Sequence, residues 1–519
     1  MSELLRIAIL GTAQTSGVAR SDTEADALVD LVAAAADADR ERLLLLRAGS
    51  AAVLRRAGAR PRPWAEPLAL ASEETLRRAS PSLSGLLAGL LEGDSHDLLA
   101  ESLEAMAAAR LRLPEELLPL ALDEVDAELR ALLLPVLGAR GRWLADQSSS
   151  WERLRSDGGN DWSWARRECD GAAELPLPAD ADEQWEGGSM PEREQLLSIA
   201  RRADPSRALA WLAATFKSDK PEQRLRWIEL LEEDLRAEDA AFLEAATNDR
   251  SAAVRLAAAR ALWRLPGTTL ARALRELVES LFVLENGAAR IELPREPFDK
   301  RLEQLGVLET PPEGVGRRQW WLSQLVSALP PDWFSQRLRS SPAALLERAA
   351  KHDLGFALLD GWTSAALRFE SREWLLSLWD VWNRVPDPGG WSEASPLLRL
   401  TERLATSELR PQLEPRLADN LRRGHNAELV AELPRPWSEP VADALGGALG
   451  ARPAWFPSVW AAAATCVPVD RVPATLEPAP PAGKKSPFDE ALTKFLSVIE
   501  LRRRIASEIA AQQPPEETR

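Results

Sequence analysis

The feature that most constrains the fold is a predicted helix with apolar residues on two opposite sides. It lies in residues 248–267, NDRSAAVRLAAARALWRLPG, and ends at Pro266-Gly267. One stripe consists of Val254, Ala257, Ala258, Ala261, Leu262 and Leu265, and the opposite stripe consists of Ala252, Leu256, Ala259 and Trp263. Because such a helix must be covered on both sides, the pattern predicts a stack of helix pairs.

A second helix repeats this pattern upstream. Residues 221–235, PEQRLRWIELLEEDL, align with residues 252–266 at an offset of 31, which places Arg224 on Arg255. A further helical segment precedes each of them, so the period is in the range of helical solenoids. The motif N-D-x-x-x-x-V-R-x-x-A-A-x-A-L resembles HEAT-type repeats. We predict an all-α fold without convincing strands, built as a HEAT-like helical-repeat (α-solenoid) stack with helical N- and C-terminal modules.

Breaks in helical periodicity divide the chain into six predicted segments. They are an N-terminal helical module over 1–152, a linker or irregular excursion over 153–190, HEAT-like helical repeats over 191–310, a Trp-rich C-terminal helical module over 311–465, a Pro-rich tether over 466–486 and a terminal amphipathic helix over 487–512.

The charge balance limits the classes of partner. The chain has 64 Lys and Arg residues against 80 Asp and Glu residues, a net charge of −16. This charge repels phosphate backbones and anionic lipid, so we expect protein partners rather than nucleic acid or a membrane, unless a local basic patch overrules the net figure. The N-terminal sequence lacks the features of a signal peptide and its apolar run is too short to span a bilayer, which favours a cytoplasmic location.

The sequence shows no convincing catalytic, metal-binding or cofactor-binding constellation. Cys169 and Cys466 have no partner at metal-ligand spacing, and no H-E-x-x-H or phosphate-loop motif occurs. His96 lies among acidic residues in EGDSHD, but an acidic loop at a helix start explains these letters, because sequence neighbours seldom converge on one atom. We therefore predict no catalytic residue, no metal and no cofactor.

Tryptophan is abundant, with 20 Trp and no Tyr in the chain, and eight Trp residues fall between Trp320 and Trp391. The spacing of Trp374, Trp379 and Trp382 favours packing between helices. The alternative is an aromatic groove for a peptide, a glycan or another ligand. The adjacent pair Trp320 and Trp321 is the candidate for partner binding in this module.

The last predicted helix, over 486–510, combines an apolar line with a basic cluster. These are formed by Phe488, Leu492, Phe495 and Ile499 and by Arg502, Arg503 and Arg504. The helix either closes the stack within the molecule, with its arginines paired to acidic neighbours, or acts as a tethered docking helix for a partner protein. The first alternative is favoured because the apolar line would otherwise be exposed. The second makes the three arginines candidate partner-binding residues.

Several segments, spread over nearly the whole chain, carry a family resemblance. They are LLRIAILGT at the start, VLGARGRWLADQSSSW (136–151), WEGGSMPEREQLLSIARRADPSRALAWL (185–212), the repeat pair, LPRPWSEPV (433–441) and SPFDEALTKFLSVIELRRRI (486–505). Together they resemble a bacterial domain-of-unknown-function family with HEAT-like helical repeats. The resemblance implies genes beside those for MoxR-type AAA+ ATPases, von Willebrand factor A domain proteins and SWIM zinc-finger proteins. It brings no catalytic residues with it.

Two functions are therefore kept as hypotheses. The first is a non-enzymatic helical-repeat scaffold or adaptor that binds protein partners in such a multi-component system. The alternative is an enzyme on a helical-repeat frame, similar to nucleic-acid glycosylases or small-ligand lyases. It would need a Trp-lined concave pocket, with Trp320 and Trp321 near Asp360 or Glu373.

Overall fold

The computed structural model describes most of the chain as helix. The described residues are 26–35, 40–57, 70–93, 95–123, 127–148, 151, 177–178, 180–285, 288–386, 394–449, 457–472 and 487–513. They belong to two compact units, Met1–Ala71 and Ser72–Arg519. The predicted all-α class is confirmed, since helices dominate both units. None of the described helices combines the length and the apolar character needed to cross a membrane.

In the first unit, α1 (Asp26–Ala35) and α2 (Arg40–Ala57) pack against each other. Val29 and Ala33 of α1 are buried, and so is Arg47 of α2. The Arg47 guanidinium pairs with the carboxylate of Asp30. An apolar contact and the Arg47–Asp30 ion pair therefore link these two helices.

The second unit begins with a small helical core. Its elements are β1 (Arg77–Arg78), α3 (Pro81–Leu91), α4 (His96–Ala108), β2 (Leu111–Arg112), α5 (Leu118–Leu122), α6 (Ala127–Leu133) and α7 (Gly138–Asp146). The two strands are parallel, with Arg77 opposite Leu111. Fully buried leucines such as Leu83 share this core with Ile505 and Ile509, which come from the other end of the chain. The last helix is therefore part of the N-terminal core.

The central part of the second unit contains a recurring arginine. Its helices are α8 (Ala181–Gly187), α9 (Met190–Ala203), α10 (Pro205–Thr215), α11 (Pro221–Glu233), α12 (Ala240–Ala246) and α13 (Ala252–Leu262). Arg193 on α9 pairs with Asp219, which lies just before α11, at 3.2 Å. Arg224 on α11 pairs with Asp249, which lies just before α13, at 3.0 Å. Arg193 stands 31 residues before Arg224, so the offset found in the sequence extends one helix further upstream.

Helix α13 is the two-sided helix of the sequence. On one stripe Ala258 and Leu262 are fully buried. On the other, Ala259 and Trp263 are buried, at 2% and 3% exposure, while Leu256 is half-buried. The Trp263 indole also donates to a backbone carbonyl at 2.8 Å. Both stripes are therefore covered along most of the helix.

The C-terminal part of the second unit holds the largest core. Its elements are α14 (Thr269–Leu281), β3 (Phe282–Glu285), β4 (Ala288–Ile291), α15 (Lys300–Gln304), α16 (Arg317–Ser327), α17 (Pro331–Leu338), α18 (Pro342–Ala349), α19 (Gly355–Phe369), α20 (Arg372–Trp382), α21 (Pro396–Ala405), α22 (Arg410–Arg423), α23 (Glu439–Leu449), α24 (Pro457–Cys466) and α25 (Pro487–Ala510). Helices α16 and α19 pack tightly at Gly361, where a Cβ atom would come within 2.6 Å of the Ser323 carbonyl oxygen. A side chain at this glycine would force the two helices apart.

The chain also contains short strands, contrary to the sequence prediction. Strands β3 and β4 form an antiparallel pair with Phe282 opposite Ile291. The dipeptide between them, Asn286-Gly287, is typical of tight hairpins and was the available signal. Strands β1 and β2 have two residues each, which is too short to leave a periodic pattern.

Parts of the predicted segments lie outside the described residues. These parts are 1–25, 36–39, 58–69, 94, 124–126, 149–150 and 152 of the N-terminal module, 153–176 and 179 of the predicted linker, 286–287 of the predicted repeats, 387–393 and 450–456 of the Trp-rich module and 473–486 of the predicted Pro-rich tether. Within the remainder of the predicted linker, residues 181–187 form α8, and Trp185 of this helix is buried. The Trp185 ring stacks on Trp211 at a centroid distance of 5.4 Å.

Candidate functional site

The arginines of the last helix differ in their surroundings. Arg502 is buried and Arg504 is exposed. Arg503 lies between these extremes and donates to the backbone carbonyls of Val469 and Val472, at 3.1 Å and 2.7 Å. Two of the three candidate partner-binding arginines therefore already have partners within the chain.

Arg502 occupies a fully matched polar pocket. Its Nε and Nη2 donate to the two carboxylate oxygens of Glu101 on α4, each at 2.7 Å. Its Nη1 donates to the carbonyls of Ala464 and Val467 at the end of α24, at 2.9 Å and 2.8 Å. This bidentate pairing joins the last helix to both the first and the last parts of the second unit.

The Trp320 and Trp321 pair lies against the C-terminal core. Trp321 is fully buried, and its indole N–H donates to the backbone carbonyl of Glu309 at 2.8 Å. Its ring packs on Phe298 at a centroid distance of 5.1 Å. Trp320 is half-buried, so of the pair it alone offers surface to a partner.

The carboxylates considered for an enzyme pocket lie in different environments. Asp360 is buried and accepts a hydrogen bond from Ser323 at 2.6 Å, inside the contact between α16 and α19. Glu373 is exposed near the start of α20. A buried tryptophan, a buried aspartate and an exposed glutamate do not share one open pocket.

The predicted core role of Trp374, Trp379 and Trp382 is confirmed. Trp374 and Trp379 are buried, and the Trp379 indole donates to the Thr401 hydroxyl at 2.9 Å. Trp382 donates in the same way to Thr363, also at 2.9 Å. These hydrogen bonds satisfy the indole N–H groups between helices.

The histidines lie in ordinary polar contacts. His96 is exposed at the start of α4. The Nδ1 atom of His352 accepts from the Leu354 amide at 3.0 Å, and the Nε2 atom of His425 lies 2.8 Å from the Asn383 carbonyl. In the described part of the chain no three His, Cys, Asp or Glu side chains are grouped to hold a metal ion.

Arg260 and Arg368 meet at the Trp263 ring in the second unit, and the charges of Arg264 and Arg399 lower the pKa of Arg368. This grouping was not predicted from the sequence. This arginine cluster consists of Arg260 on α13, Arg264 just after α13, Arg368 on α19 and Arg399 on α21. All four side chains are partly exposed. The guanidinium carbons of Arg260 and Arg368 lie 5.6 Å and 4.9 Å from the centre of the Trp263 ring. Both cationic groups therefore lie against the Trp263 ring.

The hydrogen bonds of Arg260 and Arg368 go to neutral acceptors. Arg260 donates to the Gly306 carbonyl at 3.3 Å and to the side-chain oxygen of Gln324 at 3.2 Å. Arg368 donates to the Ser327 carbonyl. These contacts hold the two side chains in place, and Glu232 is the acidic group that opposes the lowering of the pKa of both arginines.

The other two arginines of the cluster are less constrained. Arg264 donates to the backbone carbonyl of Glu232 at 2.6 Å. The side chain of Arg399 makes no hydrogen bond with the described residues. None of the four arginines forms an ion pair within 4.0 Å in the part of the chain that the structure describes.

The pKa values of the region reflect this imbalance. Burial, followed by the charge of Arg260, lowers the pKa of Arg368 to about 10, and Arg264 and Arg399 contribute in the same direction. Burial also lowers the pKa of Arg260. Burial raises the pKa of Glu232 although three arginines of the cluster oppose that effect. The site therefore holds an excess of positive charge around one weakly acidic carboxyl group.

A family model described as a family of unknown function (DUF5691) matches residues 3–509. The chain belongs to the DUF5691 family. Neither the curated proteins nor the solved structures that were compared with it give a match.

The DUF5691 chain also presents apolar side chains to solvent in its first unit. On α1, Leu31 and Val32 are 69% and 50% exposed. On α2, Leu45 and Val53 are 71% and 67% exposed. By comparison, Leu120 of the second unit, one of its most exposed large apolar residues, reaches 40%. The exposed side chains of Leu31, Val32, Leu45 and Val53 are together called the first-unit apolar surface below.

Proposed function

We propose that this DUF5691 protein is a non-enzymatic, cytoplasmic scaffold that binds protein partners. The first-unit apolar surface carries the proposal. Exposed large aliphatic side chains grouped on two neighbouring helices mark interaction surfaces, because water contact with them is unfavourable. A partner that covers Leu31, Leu45 and Val53 would remove this unfavourable contact.

The architecture supports the same function. Arg193, Arg224 and Arg255 recur at one spacing on α9, α11 and α13, and α13 is covered on both sides. Both features support a HEAT-like solenoid for the central part of the second unit. Solenoids of this type commonly present extended binding surfaces rather than a single reactive site.

The chemistry of the partner follows from charge and surface. A net charge of −16 disfavours nucleic acid as the general partner, and the apolar side chains of α1 and α2 require an apolar counterpart. The candidates implied by the family resemblance are a MoxR-type AAA+ ATPase, a von Willebrand factor A domain protein and a SWIM zinc-finger protein.

The test is a titration of the full chain with each purified candidate, measured by biolayer interferometry. We expect one candidate to bind, and Leu45→Asp to weaken that binding by at least about tenfold, the loss that 1.4 kcal/mol produces. The matched control is Leu120→Asp, which places the same charge on an exposed leucine of the second unit and should leave binding unchanged.

Two results contradict the proposal. One is the absence of binding by every candidate. The other is equal weakening by Leu45→Asp and Leu120→Asp, which would show that charge itself, rather than the first-unit apolar surface, controls the interaction.

A further inference from the structure

We propose that the arginine cluster is a binding site for a phosphoryl oxyanion. The ligand is either inorganic phosphate or the phosphate group of a small phosphorylated metabolite. This inference involves different residues from the scaffold proposal and goes beyond it, since it assigns a small-ligand site to the second unit.

The arginine cluster carries an excess of positive charge. Arg260, Arg264, Arg368 and Arg399 bring four positive charges together, and Glu232 is the carboxyl group whose pKa they influence. A cluster with no ion pair in the described part of the chain attracts an anion, because like charges at close range repel unless a counter-charge separates them.

Several N–H donors of the arginine cluster make no hydrogen bond. The carbonyl acceptors of Arg260, Arg264 and Arg368 use only some of the five N–H groups on each guanidinium, and Arg399 uses none. In the described part of the chain, no side-chain nitrogen of these four arginines is both buried and without a hydrogen-bond partner. The nitrogens of these four side chains that make no hydrogen bond therefore keep some contact with solvent.

The arrangement of the arginines suits a ligand with the shape of a phosphate group. Three of the arginines are fixed by hydrogen bonds to the backbone of α11 and to the chain around α15 and α16, and Trp263 contacts two of them. A phosphate dianion offers acceptor oxygens in several directions and matches the planar forks of several guanidiniums, whereas a single carboxylate has only two oxygens. Side chains that are only partly exposed admit a compact group more readily than a polymer backbone.

The experiment is isothermal titration calorimetry of the full chain at constant ionic strength. The probes are inorganic phosphate, glucose 6-phosphate, sodium chloride and a hexaglutamate peptide. We expect saturable binding of phosphate or of the phosphomonoester, with no saturable heat from chloride. Tighter binding of inorganic phosphate identifies the free ion as the source, and tighter binding of glucose 6-phosphate identifies a phosphorylated metabolite.

The deciding variant is Arg399→Gln, because this side chain makes no hydrogen bond with the described residues and its loss should not disturb the fold. We expect phosphate affinity to fall by at least about tenfold. Arg422→Gln is the matched control, since Arg422 is exposed on α22 and its removal changes the net charge equally. Arg368→Gln should weaken binding as Arg399→Gln does, and thermal melts of all variants report folding.

Three results would overturn the proposal. They are the absence of saturable heat with both phosphate probes, equal weakening by Arg399→Gln and Arg422→Gln, and tighter binding of hexaglutamate than of phosphate at the same cluster. The last result would assign the cluster to an acidic protein segment.

Discussion

Arg502 is buried and Arg368 is partly buried, but their surroundings are opposite. Arg502 has a carboxylate that accepts two hydrogen bonds at 2.7 Å and two backbone carbonyls. Arg368 has one carbonyl and lies close to Arg260. A lowering of the Arg368 pKa to about 10 corresponds to about 3 kcal/mol of unfavourable interaction for its charged form.

This difference in partners distinguishes two roles that a cation inside a protein can have. A matched cation contributes to the fold because removing it leaves unpaired buried groups. An unmatched cation lowers stability, and groups with strongly shifted pKa values are enriched at functional sites. Arg502 therefore holds the last helix in place, whereas the proposed phosphate site uses Arg368 as an unmatched cation.

The largest expected effect is that of Arg502→Met. The change removes the guanidinium from the Glu101 carboxylate and from the carbonyls of Ala464 and Val467. We expect a loss of about 3 kcal/mol in the free energy of unfolding, measured by urea denaturation. Arg504→Met, at an exposed position two residues further along the same helix, should change stability by less than about 0.5 kcal/mol. A similar small effect for both variants would break the comparison.

Arg368→Met is expected to raise the free energy of unfolding, whereas Arg502→Met lowers it. The methionine side chain keeps apolar contact with Trp263 and removes a charge that burial and neighbouring arginines disfavour. The gain is partly offset by the lost cation–π contact and by the lost hydrogen bond to Ser327. We expect a net stabilisation of about 1 kcal/mol in urea melts. A destabilisation of the size found for Arg502→Met would show that Arg368 has a structural role.

The smallest effect is expected for Glu232→Gln. It extends the comparison to the two carboxyl groups, Glu232 beside Arg368 and Glu101 beside Arg502. Because the pKa of Glu232 is raised in the folded protein, the unfolded chain loses this proton first as the pH increases. The contribution of Glu232 to the free energy of unfolding is therefore fully present below the ordinary glutamate pKa. It is lost as the pH rises through the raised pKa of the folded protein. Glu232→Gln should therefore stabilise the protein by a few tenths of a kcal/mol at pH 7, after solvent screening.

The check is a series of urea melts between pH 4 and pH 7. The advantage of Glu232→Gln should shrink as the pH falls. Glu101→Gln should instead destabilise at neutral pH, because Glu101 is the partner of Arg502. An equal loss of stability in both variants would mean that Glu232 is also a matched counter-ion.

The sequence was informative where interactions are local or periodic. Helical spacing identified both stripes of α13, and Leu262 and Trp263 are buried as that spacing requires. The offset of 31 aligned Arg224 with Arg255 but missed Arg193, whose helix follows a segment that had been interpreted as a linker. Helix α8 has seven residues, too few for a clear period.

The arginine cluster could not be predicted in the same way. Arg264 and Arg368 are separated by more than one hundred residues, and only the packing of α13, α19 and α21 brings the four side chains together. Their burial, which lowers the pKa of Arg260 and Arg368, is likewise a property of the fold. Arginine is also common throughout this sequence, so its presence at these positions carried no signal by itself.

The most direct test is the thermal midpoint of the wild-type protein and of Arg368→Met, each measured with and without inorganic phosphate at constant ionic strength. The account predicts that phosphate raises the midpoint of the wild type, because a ligand that binds the folded state stabilises it. It also predicts that Arg368→Met begins at a higher midpoint and does not respond to phosphate. Equal responses of the two proteins, or no response from either, would contradict it.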